Sequence, residues 1–177
     1  DDDSVTSGGW HAAVYRVLVE NKKREKVDKG WACDLVPASL VAGHFFAVEQ
    51  AAIAELEAAK EAAAARLEEL EEEHSGEEGF FAELDKVNKP TVLKRLREIK
   101  TDRSASEERQ VLEDYLSTAE QLATLAQRIK TATADLDKQV LAKYPTLSTA
   151  DIQHLVIEAK CMQRIEAAVG SEMERIS

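Results

Sequence analysis

The apolar positions of this chain recur at helical spacing over most of its length. From Pro37 to about His74 they repeat every eleven residues: Val41, Ala52 and Ala63 form one row, Phe45, Leu56 and Leu67 a second, Val48, Ala59 and Leu70 a third. Eleven residues in three turns is about 3.67 per turn, the period of a nearly straight α-helix. Pro37 suits the first turn, where its missing N–H costs nothing. At about 1.5 Å per residue the predicted helix spans roughly 55 Å. Its polar face carries Glu55, Glu57, Glu61, Glu68, Glu69, Glu71, Glu72 and Glu73, and Ser75-Gly76 ends it.

A second long helix is predicted from about Ser106 to Lys143. Tyr115, Leu122, Ile129 and Leu136 are spaced by sevens, and Val111, Leu125, Ala126 and Val140 widen the stripe. Between the two lies a compact connector, Glu77 to Lys89, anchored by Phe80, Phe81, Leu84 and Val87. Asn88 is placed to cap a short helix running to Lys100, with Val92, Leu93, Leu96 and Ile99 inward. Tyr144-Pro145 closes the second long helix. Ser148-Thr149-Ala150-Asp151 reads as a capping box for a last helix whose apolar residues include Ile152, Leu155, Val156, Met162, Ile165 and Met173. Two helices of similar length joined by a compact tip predict an antiparallel hairpin. The expected class is therefore all-α: a long, coiled-coil-like helical hairpin with a short helical tip and a C-terminal helix.

Residues 1 to about 33 break this rhythm. Trp10 to Val19 is rich in β-branched and aromatic residues and allows a short strand or a short helix. Asn21 to Lys29 is charged and turn-like. The domain boundary is accordingly expected at residues 33 and 34.

Composition narrows the possibilities further. Of 177 residues, 32% are charged and only 5% aromatic, so a narrow Leu/Ala seam fits better than a thick core. The net charge of −11 opposes a domain that grips nucleic acid mainly through phosphates. Two basic clusters stand out nonetheless: Lys22, Lys23, Arg24, Lys26 and Lys29, and Lys94, Arg95, Arg97, Lys100 and Arg103. Each has acidic neighbours, and Lys94, Arg95 and Arg97 are the candidate phosphate contacts. Cys33 and Cys161 lie far apart without ligand spacing, which suits a reducing cytoplasm. No apolar run is long enough for a membrane span. There is no initiator Met and the pattern stops inside a helix, so the sequence is expected to be a piece of a longer protein.

Signatures of catalysis are absent from the sequence. His11, His44, His74 and His154 are isolated, with no second histidine at helical spacing and no Cys/His cluster, so no metal site is expected. His44, beside Phe45 and Phe46, is expected to pack at the hairpin base, and His74 to sit at a helix terminus near the last carbonyls. The glutamate run reads as a solvated helix face, because acid–base catalysis needs carboxylates in a partly dry pocket. Gly8-Gly9 lacks a nucleotide-binding context, and the Asn/Asp-Pro-Pro-aromatic run of N6-adenine methylases is missing. The long amphipathic helices are the strongest signal, and the last helix carries apolar residues on more than one face. The residues expected to dock a partner are Leu122, Leu125, Ile129, Leu155, Met162 and Ile165.

Several stretches resemble the C-terminal region of the modification (M) subunit of type I restriction-modification systems. They are Gly30 to Ala59, Leu67 to Lys100, and Leu136 to Ser177. The resemblance is carried by Leu35-Val36-Pro37, the acidic helix ending in Gly-Glu-Glu-Gly (76–79), Leu96 to Lys100, and Lys143-Tyr144-Pro145-Thr146-Leu147. It departs at Glu158-Ala159-Lys160-Cys161, where an acidic pair and a tryptophan are expected. The resemblance implies a bacterial or archaeal, cytoplasmic helical tail that packs against the DNA-specificity (S) subunit and reaches DNA only through that complex. Residues 1–33 would then be the trailing edge of a methylase domain or the link to it. Catalysis and S-adenosylmethionine binding would lie upstream, leaving no catalytic residue or cofactor in this segment. The alternative from the residues alone is a stand-alone coiled-coil scaffold that homodimerises through the same stripes.

Overall fold

The structure, a computed structural model, describes residues 9–21, 24–77, 79–82, 84 and 86–158. In chain order it contains β1 (Tyr15–Glu20), β2 (Lys26–Ala32), α1 (Ala38–Phe45), α2 (Ala47–His74), α3 (Lys89–Glu98) and α4 (Ser106–Lys143), then a 3-10 turn at Tyr144–Thr146. Further helical turns, α5, cover 149–158. The chain is mostly helical, as the periodicity predicts. A small antiparallel sheet near the N-terminus takes up the strand alternative left open for Trp10 to Val19.

By packing, the chain divides into two compact units: Asp1–Gln50 with Ala134–Ser177, and Ala51–Thr133. The division does not follow the boundary expected at residues 33 and 34. Cys33, Leu35 and Val36 share one core, so no seam opens between them.

In the first unit β1 pairs antiparallel with β2, and Val19 lies opposite Val27. The 21–25 connection is closed by two backbone bonds, Asn21 N–H to Glu25 O and Arg24 N–H to Asn21 O, both 2.9 Å. Register shifts between Arg16 and Leu18, where β2 carries one extra residue. Gly30 absorbs this bulge at φ +101°, and its N–H donates to the Asp28 carboxylate at 2.8 Å. A residue with a Cβ is strained there.

The single straight helix expected from Pro37 to His74 is instead bent at Phe46, whose ψ of 34° departs from the helical value. Hydrogen bonding runs through the bend: Phe46 N–H donates to Ala42 O, and Gln50 N–H to Phe46 O. The turn lets the sequence neighbours Phe45 and Phe46 both reach the core, which an ideal helix would hold about 100° apart.

That core gathers Val36, Val41, Ala42, Val140, Tyr144, Ile152, Leu155 and Val156. Tyr144 sits at its centre. Its hydroxyl donates to the Val36 carbonyl at 2.5 Å, and the Trp31 ring meets it edge-on at 5.2 Å. The Trp31 indole N–H donates in turn to Asp137 at 3.1 Å. Lys143 lies 4.3 Å over the Phe45 ring. The predicted capping box opens α5: the Asp151 carboxylate accepts from Ser148 N–H and hydroxyl at 2.9 and 2.7 Å, and Asp151 N–H donates to Ser148 Oγ.

The second unit has its own core of Leu70, Phe81, Val92, Ile99, Leu112 and Tyr115. Here the last turns of α2 lie against the first turns of α4, with Arg66 and Asp114 paired at 3.0 Å. The connector anchors pack as predicted: Phe81 is buried, and Leu84 and Val87 pack against the core. Phe81 N–H donates to the His74 carbonyl at 2.9 Å, closing the end of α2. A Cβ at Gly79 would collide with that same carbonyl, which explains a glycine at this turn. Asn88 caps α3 through a reciprocal exchange with Thr91.

The period-eleven rows are buried unevenly. Val41, Ala63 and Leu70 are buried, whereas Ala52 and Ala59 are exposed and Val48 is 80% exposed. Alanine in those middle turns supports helix formation through its propensity without needing a cover.

Replacing Tyr144 by phenylalanine removes the only listener of a fully buried carbonyl among the described residues, and should lower stability by about 1–3 kcal/mol in chemical denaturation. All three tyrosines should also titrate above the ordinary value of about 10 in an alkaline absorbance titration. Burial raises Tyr144 and Tyr115, and the hydrogen bond to Asp34 raises Tyr15. Because the folded state holds these protons more tightly, their contribution to stability is complete below about pH 10 and is lost as pH rises further.

Candidate partner-docking surface

Helix α4 presents its apolar residues at three- and four-residue intervals because Leu122, Leu125 and Ile129 continue the stripe begun by Leu112 and Tyr115. The stripe changes character along the helix. Leu112 and Tyr115 are buried in the second unit's core, whereas Leu122, Leu125 and Ile129 are only half-buried. Leu125 lines a shallow, open groove of about 400 Å³ with Ser117, Gln121, Thr124 and Arg128. Three expected docking residues therefore share one helix face with part of their apolar surface uncovered.

The other docking candidates fare differently. Leu155 is 1% exposed and is taken up in the first unit's own core, where α5 packs beside Val36 and Tyr144. Met162 and Ile165 lie outside the described residues. The only strongly exposed apolar residue on α5 among those described is Ile157, at 64%. Exposed apolar residues also lie on both faces of the β1–β2 hairpin, Val19 and Val27 paired on one and Leu18 on the other. Trp10 to Val19 allowed a strand from the sequence, but its pairing with Val27, and so which face lay open, was not readable there.

The basic cluster on α3 is partly used by the fold itself. Arg95 Nε donates to Glu108 at 2.6 Å, in a pair with side chains 29% and 12% exposed. Lys94 is exposed with Glu98 3.9 Å away, and Arg97 is exposed. Arg109 completes this corner by donating to the Ile99 and Asp102 carbonyls at 3.0 Å, tying the turn that follows α3. Of the three candidate phosphate contacts, Arg95 is thus committed to holding α3 against α4. In the first cluster Arg24, Lys26 and Lys29 are exposed, and Lys22 and Lys23 lie outside the described residues.

A second open groove, of about 750 Å³, lies between the end of α2 and the start of α4. Its walls include Arg66, Glu73, His74, Phe80, Glu107 and Asp114. His74 sits at the α2 terminus as expected, with its ring between those of Phe80 and Phe81. His44 packs edge-on against Phe45 at 4.7 Å. The histidines do not all remain isolated, however. His44 and His154 approach each other in the first unit, with ring centroids 5.3 Å apart and Glu158 beside both. The pairing of His44 with His154 is tertiary, but the four-residue spacing of His154 and Glu158 was a readable sign.

No described helix is long and apolar enough to cross a membrane. Comparison with family models, characterised proteins and solved structures gives no match to this chain.

Truncating Glu108 to alanine removes the nearest carboxylate of the half-buried Arg95 guanidinium, leaving Glu98 at 4.0 Å, and should cost about 1–3 kcal/mol. Thermal denaturation monitored by circular dichroism would measure the loss, and an unchanged midpoint would show that the ion pair contributes nothing.

Proposed function

We propose that this chain is the partner-docking C-terminal region of a type I restriction-modification M subunit. It packs against the DNA-specificity subunit so that the parent enzyme, with its S-adenosylmethionine, can methylate adenine N6. In this reading α2 and α4 run side by side as an antiparallel hairpin, and the uncovered part of the α4 stripe receives helices of the partner. The segment itself is not an enzyme. The observation that carries the reading is the half-buried run of Leu122, Leu125 and Ile129, apolar surface that the described residues cover only in part.

Two further observations support it. Segments that carry the resemblance also do structural work. Leu35 and Val36 meet Tyr144 in one core, and the second glycine of the Gly-Glu-Glu-Gly turn is required by the His74 carbonyl. In addition, the exposed cross-strand pair Val19 and Val27 suits a junction with a preceding methylase body.

Aspartate at Leu122, Leu125 or Ile129 should weaken association with the cognate S subunit. Burying an unpaired carboxylate there costs about 3 kcal/mol or more, roughly a hundredfold in Kd. Co-purification of the coexpressed subunits measures this, with circular dichroism checking that each variant folds. Undiminished co-purification by a folded variant argues against the reading. A tight self-dimer whose mass is unaffected by the S subunit would replace it with the homodimeric scaffold.

A further inference from the structure

We propose that His44, His154 and Glu158 form a surface site for a divalent transition-metal ion, with zinc suited to the donor set. The three side chains offer two imidazole nitrogens and one carboxylate oxygen, and these ligand atoms all lie within 4.8 Å of one another. Both imidazoles turn Nδ1 toward the same oxygen, Glu158 Oε2, at 3.8 Å for His44 and 3.6 Å for His154. A tetrahedral zinc with bonds of about 2.0–2.2 Å spaces its ligands about 3.3–3.5 Å apart. The largest separation therefore has to close by about 1.5 Å, within the reach of exposed side chains. Three protein ligands leave a fourth position for water.

The frame around the site is firm. His154 and Glu158 stand four residues apart on α5, so they project from the same face one turn apart. The Ser148–Asp151 box fixes the start of that helix. His44 belongs to the last turn of α1, and its ring is steadied by the Phe45 edge at 4.7 Å. Imidazole and carboxylate together favour zinc, copper or nickel over calcium or magnesium, which prefer all-oxygen sets. A bound ion would clasp α1 to α5 within the first unit, tying together residues far apart in sequence. It would stabilise the folded chain by mass action. This site does not depend on the docking role proposed above, and metal binding is measured without any partner.

The test is calorimetric titration of zinc chloride into the full chain carrying no affinity tag. One equivalent should bind, and the thermal midpoint should rise with zinc concentration. His44→Ala, His154→Ala and Glu158→Gln should each weaken binding at least tenfold, with circular dichroism unchanged because all three side chains are exposed. His11→Ala should bind as the parent does. Absence of saturable binding, binding that survives either His44→Ala or His154→Ala, or binding abolished by His11→Ala would each overturn the proposal.

Discussion

The hydrogen bond from the Tyr144 hydroxyl to the Val36 carbonyl is the contact around which the first unit is organised. Val36 is completely buried, so water cannot satisfy its carbonyl. The residues just before α1 can occupy the core only because a side chain from the 3-10 turn that follows α4 reaches them. The same ring receives the edge of Trp31, and Trp31 is held by Asp137, so the sheet is secured to α4 by one aromatic stack. Pro145 then turns the chain, and the capping box directs α5 back onto the same core. One polar interaction thereby joins the start of α1, the end of α4, the hairpin and the last helix.

The second unit solves the same problem with a different group. After α3 the chain turns toward α4, and the Arg109 guanidinium from α4 ties that turn by donating to the Ile99 and Asp102 carbonyls. Arg95 reaches the opposite way, from α3 to Glu108 on α4. Aromatic residues are scarce, and they are concentrated where they matter: Trp31, Tyr144, Phe45 and Phe46 in one core, Phe81 and Tyr115 in the other. The cores stay small. Much of α2 and the middle of α4 rely on helix propensity and a narrow apolar stripe, and this is the circumstance that leaves Leu122, Leu125 and Ile129 half-covered.

Features specified by neighbouring residues were legible in the sequence. The Asn88 cap, the Ser148–Asp151 box, the Tyr144-Pro145 stop and the Phe81, Leu84 and Val87 anchors all depend on chemistry within a few positions. What depended on distant packing was not legible. The bend at Phe46 exists because two adjacent aromatics share one core, and periodicity alone predicts a straight helix there. Residues 10–19 had too short an alternation to separate strand from helix until β2 supplied the partner. Leu155 and Leu125 look alike on a helical repeat, yet one is enclosed by Tyr144 and its neighbours and the other lines an open groove. His44 and His154 meet only because α1 and α5 pack in the same unit.

The discontinuity of the first unit also dictates an order of events during biosynthesis. The residues 51–133 are contiguous, so this part can collapse as soon as it leaves the ribosome. The Tyr144–Val36 contact spans 108 residues of chain. Closing so long a loop has a length-dependent entropy cost of about 4 kcal/mol, and the contact has to wait until Tyr144 and the residues packed around it have emerged. Until then Cys33, Val36, Val41 and Phe45 remain without their cover, and this stretch of the nascent chain is the one most exposed to aggregation.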